Sequence, residues 1–398
     1  MLGRVTPRAI LLAALVALLA AAPAAAAVPT GPAGDAFYTP PKKLPGGTHG
    51  DPIWVRKLTN AQTLAQAKVN QLVLYRSTSV QGKPIAVSGT IHLPRGKPPK
   101  GGWPVVSWAH ATIGVGDRCA PSRNPGEGVI HVLHAYIEGL LDRWLSAGFA
   151  VVRTDYEGLG TKGGHPYLVG VSEARGVLDV VRAARAIHPG IGTRVAVAGH
   201  SQGGHAALFS GAVARRWTPE LSLRGVVALA PFAQGDEIFR VLSASDQPSR
   251  RTGYALLFVN GAGAGYPQLG FTSLLSKRGR ELYALAPSLC IDDITSETGE
   301  FGKTAPRDLF AAGAELAPLT KTIARNDPTD LTIGAPVLVE QGTADTTVFQ
   351  GFTNVLVEGL RKRGARVAYR VHENIDHTSV AFGEPQDETF SWVSKRLR

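Results

Sequence analysis

The run Gly199-His200-Ser201-Gln202-Gly203 sets a serine between two glycines, after the apolar residues 195–198 and ahead of an alanine-rich stretch. A serine hydroxyl attacks a carbonyl only when a base takes its proton, and a carboxylate usually orients that base. The context reads as strand, tight turn and helix. Small residues two positions either side of the serine fit a crowded backbone, and the helix N-terminus directs free N–H groups at charge forming beside Ser201. Downstream, the apolar residues 337–341 run into Gly342-Thr343-Ala344-Asp345, which sets Asp345 just past the end of a strand. Residues 367–371 lead in the same way to His377. We therefore take Ser201 as nucleophile, His377 as base and Asp345 as orienting acid. Glu340, still inside its strand, is the rival acid, and His372, at a strand end, is the rival base. Asp376 and His205 are read as supporting residues.

Attack on a carbonyl makes an oxyanion, which two backbone N–H groups normally receive. One belongs to the residue after the nucleophile, Gln202. The other is expected in the loop Ala109-His110-Ala111-Thr112, where Thr112 is the first choice and Ala111 the second, because alanine stands where a glycine is usual. His110 is a candidate for the pocket wall. Asp155-Tyr156-Glu157 also follows a strand and has two readings, a turn with a capping acid or a pocket wall formed by Tyr156 and Glu157. His131 and His134 lack a third ligand at metal-binding spacing, so no metal site is expected.

Several elements must position these groups. Residues 72–79 and 85–93 alternate apolar and polar about Gln81-Gly82, the pattern of an antiparallel hairpin. Short apolar strands follow at 105–108, 150–154, 195–198, 226–230, 337–341 and 367–371, separated by amphipathic segments. That alternation predicts an α/β fold, a mostly parallel sheet covered by helices on both faces. Val171, Ala174, Val177, Leu178, Val181 and Ala184 mark the inner face of one helix, with Glu173, Arg175, Asp179, Arg182 and Arg185 assigned to its outer side. Phe352, Val355, Leu356 and Leu360 mark another helix. The hundred or so residues after the sixth strand are too long for a loop and are read as an inserted cap or lid. The division expected is a 1–27 signal peptide, a 28–52 arm, a core over 53–231 and 334–398, and a cap over 232–333.

The opening carries Arg4 and Arg8, an apolar run and alanines around Pro23, the layout of a secretory signal peptide, so the mature chain is expected outside the cell, free or at the cell wall. The apolar run is too short to span a membrane. In an oxidising compartment the two cysteines, Cys119 and Cys290, are expected to form one disulfide; two buried thiols are the alternative. The formal charge of +11 is spread in short clusters with no nucleic-acid-binding signature, so no nucleic-acid partner is expected.

Together, the HATIGVGDRCAPS segment, DYEGLGTKGGHPYLVG, GHSQGG, GTAD and DHTS resemble the secreted lipase/esterase family of the α/β-hydrolase superfamily, in the manner of fungal lipase A-type secretory lipases and their bacterial relatives. The resemblance implies hydrolysis of carboxylic esters, with acylglycerols as a candidate substrate, by Ser201, Asp345 and His377 with Thr112 and Gln202 at the oxyanion. It also implies a disulfide through Cys119, no cofactor, and a small-molecule or lipid ester as partner, with transient contact at a lipid interface. Two other activities use the same residues: acyl transfer to an alcohol, and peptide hydrolysis of the prolyl aminopeptidase type.

Overall fold

The structure is a computed structural model and describes residues 27–398; the expected signal peptide lies outside the described residues except for Ala27. In chain order the strands are β1 Pro52–Lys57, β2 Val69–Thr78, β3 Pro84–Leu93, β4 Trp103–Ala109, β5 Ala150–Thr154, β6 Ile191–His200, β7 Ser222–Leu229, β8 Val337–Gly342 and β9 Val367–His372. They form one nine-stranded sheet in the order β1-β2-β3-β5-β4-β6-β7-β8-β9. β1, β2, β3 and β5 pair antiparallel, and every pairing from β5 through β4 to β9 is parallel. This is the α/β-hydrolase architecture expected. The hairpin about Gly82 and the six parallel strands lie where the apolar runs put them. β1 adds an edge strand before the hairpin, so the long insertion follows the seventh strand rather than the sixth.

Alternation along the strands builds two cores. Val105, Val195, Val197, Val226, Ala228, Val337 and Val339 point to one face. Val106, Trp108, Ala196, Ala198, Val227, Leu229 and Leu338 point to the other. On the chain between β4 and β5 lie α1 Gly128–Ala135 and α2 Glu138–Ser146; between β5 and β6 lies α3 Gly170–Ile187, and between β6 and β7 α4 Gln202–Trp217. The segment joining β7 to β8 carries α5 Gly235–Ala244, α6 Arg251–Gly265, α7 Lys277–Leu285, α8 Ile291–Ile294 and α9 Ala317–Ala324. α10 Gln350–Lys362 and α11 Gly383–Leu397 complete the chain. Helices α3, α4 and α10 cover the first face, with Val177, Ala207 and Leu356 in its core. Helices α2 and α11 cover the second, with Leu141, Trp144 and Val393 in its core. The β7–β8 segment has an apolar cluster of its own, centred on Phe239, Leu256, Leu257, Leu282 and Leu309.

One correction concerns α3. Glu173 and Asp179, assigned to its solvent side, are fully buried. Each is satisfied by specific donors: His49, Ser77 and Trp217 surround Asp179, while His205 and Gln202 donate to Glu173.

Cys119, in the loop after β4, is disulfide-bonded to Cys290, just before α8, across 171 residues of sequence. The bond staples the β7–β8 segment to the sheet. Closing so long a loop removes much of the unfolded chain's freedom, and the doubly substituted Cys119→Ser, Cys290→Ser protein is expected to lose about 2–5 kcal/mol of stability. Guanidinium unfolding followed by circular dichroism measures this; an unchanged midpoint contradicts it.

Candidate active site

Ser201 stands where β6 turns into α4, as the N-cap of that helix, with φ 58° and ψ −116°. A serine held there stores about 1–3 kcal/mol of strain, so the surroundings must impose the conformation. They do so at several points. The Ser201 amide donates to the Leu229 carbonyl at 2.9 Å, and its carbonyl accepts from the amides of His205 at 3.1 Å and Phe232 at 3.2 Å. A Cβ on Gly199 would lie 2.1 Å from the Gly203 carbonyl oxygen, and one on Gly203 would lie 2.0 Å from that of Ala109. Both neighbours are backbone atoms, which leaves glycine as the residue that fits at each position.

The other two residues converge on the same sheet edge. Parallel strands place their C-terminal ends together, and β4, β6, β8 and β9 there carry the Thr112 loop, Ser201, Asp345 and His377. His377 Nδ1 donates to Asp345 Oδ2 at 2.8 Å. With its proton on Nδ1, a neutral imidazole keeps the Nε2 lone pair free to accept another. Asp345 is buried and richly bonded: Oδ1 accepts from the amides of Thr347 at 2.8 Å and Val348 at 2.9 Å, and Oδ2 also accepts from Gln341 Nε2 at 3.0 Å. Burial works to raise its pKa, yet the bond from His377 and the two amides outweigh burial and hold it below the usual carboxylate value. The two rivals pair with each other, His372 Nε2 with Glu340 Oε2 at 3.1 Å, and Thr389 donates to the second Glu340 oxygen at 2.6 Å. Asp376 caps the turn beyond His377 by accepting from the amides of Thr378 and Ser379 at 3.0 and 2.8 Å.

Ser201 and His377 line one cavity of about 520 Å³ together with Ala111, Thr112, Tyr167, Phe232 and Phe258. Thr112 Oγ1 is 3.0 Å from the Tyr167 hydroxyl. Gln202, first residue of α4, has its side chain locked behind the turn, donating to Glu173 Oε1 at 2.9 Å and to His165 Nε2 at 3.0 Å. Glu173 Oε2 in turn accepts from His205 Nδ1 at 2.6 Å, and His205 Nε2 donates to the Asn326 carbonyl at 2.8 Å. His205 is thus placed between a carboxylate and a carbonyl, a setting that favours the imidazolium. Burial opposes that charge, but Glu173 overcomes burial and raises the His205 pKa.

Three residues expected in the pocket wall are not there. The cavity is not lined by His110, Tyr156 or Glu157. Tyr156 is wholly buried, with φ 69°, and donates its hydroxyl to the His110 carbonyl at 3.0 Å. The His110 ring packs 4.2 Å from it, and Glu157 is occupied by the Ser172 hydroxyl at 2.5 Å. The segment is a turn, as in the other reading, but its acid bonds to remote elements rather than to the turn: Asp155 is buried and accepts from Ser88 Oγ at 2.6 Å and the Ser122 amide at 2.9 Å. Apolar packing and these bonds draw the segment under the β4 loop, away from the cavity. Two residues that do line the cavity, Tyr136 and His200, carried no role in the sequence reading. The one signal for His200 was its place beside Ser201.

A mostly parallel sheet, a strained serine at a strand-to-helix turn, and an acid and histidine at the ends of the last two strands define an α/β hydrolase. The chain belongs to the secretory lipase family, whose sequence model matches residues 132–398, and is accordingly a carboxylic ester hydrolase. It is 24% identical over 396 residues to a probable inactive lipase of Mycobacterium tuberculosis (strain CDC 1551 / Oshkosh), covering 92% of this chain and 82% of that one. It is 28% identical over 246 residues to lipase A of Moesziomyces aphidis, covering 60% of this chain and half of that protein. Among solved structures it is similar to Candida antarctica lipase A, with a TM-score of 0.74 at 20% identity over 86% of this chain and 80% of that one. A ligand-bound form of the rice cell wall degrading esterase LipA from Xanthomonas oryzae gives 0.69 at 20% identity over 88% and 99%. At such identities the structural likeness speaks for the fold.

The buried histidines set an acid limit on this site. Burial above all lowers His110, His134 and His200 from 6.5 to about 3, joined by Arg153 beside His134 and by neighbouring imidazoles beside the other two. The unfolded chain protonates them near 6.5 and the folded chain does not, so their contribution is complete above that pH and is lost as pH falls toward 3. His205 and His372, both raised, contribute in the opposite sense, fully below 6.5 and decreasingly as pH climbs. Denaturant midpoints are expected to fall on acidification through the lower window, with proton uptake on unfolding; a midpoint that rises there contradicts the assignment.

Proposed function

We propose that this protein is a secreted serine hydrolase that cleaves carboxylic esters through an acyl-enzyme. Ser201 Oγ attacks the ester carbonyl while its proton moves to His377 Nε2. Asp345 holds the resulting imidazolium and fixes the ring tautomer. The amides of Gln202 and Thr112 receive the oxyanion, His377 returns the proton to the leaving alcohol, and the acyl group stays on Ser201. A water activated by His377 then attacks the acyl-enzyme and releases the acid.

The observation that carries this reading is the 2.8 Å bond from His377 to Asp345, made by a histidine that shares a cavity with the strained Ser201. Lining by Phe232, Ile238, Leu242, Phe258 and Phe352 suits an apolar acyl chain, as in a lipid ester. The 232–333 segment acts as a lid whose α5, α6 and α8 residues set which acyl chains enter. The M. tuberculosis relative is named a probable inactive lipase. Here the serine, acid and histidine positions are all filled and the acid–histidine bond is made, which supports activity.

Removing the nucleophile of such a triad typically costs about 10⁶-fold in kcat, and the residual reaction is that of the oxyanion site alone. Ser201→Ala is therefore expected to abolish hydrolysis of p-nitrophenyl esters, with His377→Ala nearly as severe and Asp345→Asn less so. Steady-state kinetics across acyl lengths checks this; a Ser201→Ala protein hydrolysing at the wild-type rate overturns it.

A further inference from the structure

The base is held at two ends, and the second restraint comes from the nucleophile's own neighbour. Asp345 restrains the His377 ring at Nδ1. The main chain of the same residue is held from the other side, because His200 Nε2 lies 2.7 Å from the His377 carbonyl oxygen. A carbonyl can only accept, so His200 carries its proton on Nε2 and its Nδ1 must accept. A donor is in place: the Tyr136 hydroxyl is 2.8 Å from His200 Nδ1. One neutral tautomer thus satisfies every partner of a buried ring. The His200 ring also packs against the His377 ring, centroids 4.7 Å apart and planes 41° from parallel, and Tyr136 packs edge-on against both His200 and Phe382, which follows the His377 loop.

We propose that His200, oriented by Tyr136, is a positioning residue that fixes the His377 backbone relative to Ser201, so that nucleophile and base move as one unit. His200 ends β6 and adjoins Ser201 through a peptide bond. Any displacement of the β9–α11 loop away from the nucleophile must break the bond from His200 to the His377 carbonyl. This restraint is distinct from that of Asp345, which fixes ring orientation and stabilises positive charge. The depressed pKa of His200, caused by burial and then by His377, adds a consequence: the ring stays neutral while His377 takes up a proton, and so adds no repulsion.

The inference rests on the Ser201, His377 and Asp345 reading, and the tests separate the two. His200→Ala is expected to lower kcat about 10- to 100-fold, with KM changed by less than about threefold, since displacing a reacting group by an ångström costs of that order. It should slow labelling of Ser201 by an organophosphonate by a similar factor. His200→Gln offers an amide N–H to the His377 carbonyl and an oxygen to Tyr136, and is expected to recover most of the lost rate. Tyr136→Phe, which removes one hydroxyl and leaves His200 Nδ1 without its donor, is expected to lower kcat severalfold while lowering the melting temperature by only about a few degrees. If His200→Ala does not fold, the Gln and Phe variants still decide the matter. Full kcat in either His200→Ala or Tyr136→Phe overturns the proposal. So does a loss in His200→Gln equal to that in His200→Ala. Activity in Ser201→Ala would instead sink the reading beneath it.

Discussion

Everything in this site depends on how closely the turn after β6 approaches the loop after β4. At Gly203 the chain passes so near the Ala109 carbonyl that no side chain fits, and at Gly199 it passes as near to Gly203 itself. That contact forces Ser201 into a left-handed backbone, lifts its hydroxyl out of the sheet and starts α4 with its amides facing the same space. The strain is local and its compensation is spread over the sheet. The Ser201 amide bonds to β7, and both sheet faces are sealed by apolar cores that the helices complete. A rigid, dry platform of this kind is what lets one serine be held in an unfavourable conformation at little cost in overall stability.

Polar groups around the turn are organised as paired histidines and acids, and their differing environments divide the labour. His377 with Asp345 faces the cavity. His205 with Glu173 is sealed behind the turn, charged, and ties α4 through Asn326 to the end of the β7–β8 segment. His372 with Glu340 closes the far side of β8. His200 has no acid partner among the described residues and is neutral, bridging Tyr136 and the His377 carbonyl. Burial without a counter-charge drives an imidazole neutral, whereas burial against a carboxylate keeps it charged. The same side-chain type therefore stands around Ser201 in three settings: paired with the cavity-side Asp345, paired with the sealed Glu173, and bonded to a tyrosine hydroxyl and a main-chain carbonyl.

Much of this was legible in the amino-acid order. Apolar strands buried on both faces announce themselves, and residues at their C-terminal ends share an edge whatever the connections between them; that is why Asp345 and His377 could be placed at the edge that carries Ser201 before any coordinates. The disulfide between Cys119 and Cys290 also followed from address and number. What local pattern could not supply was the fate of polar residues. Glu173 and Asp179 look like the outer side of α3, since periodicity does not reveal that donors from β2, α4 and the arm will meet them. Tyr156 and Glu157 sit at a strand end as functional residues do, but packing turned them inward. β1 and α11 escaped because an edge strand with mixed burial and a terminal helix with a broad polar face give weak periodicity.

The central claim is that a covalent bond forms at one atom, Ser201 Oγ. Mass spectrometry of the folded protein after reaction with a p-nitrophenyl organophosphonate, followed by peptide mapping, tests it most directly. The account predicts one adduct per chain, on the peptide containing Ser201, with loss of ester hydrolysis in proportion to labelling. Labelling at another residue, or a folded protein that hydrolyses esters but takes no label, would contradict it.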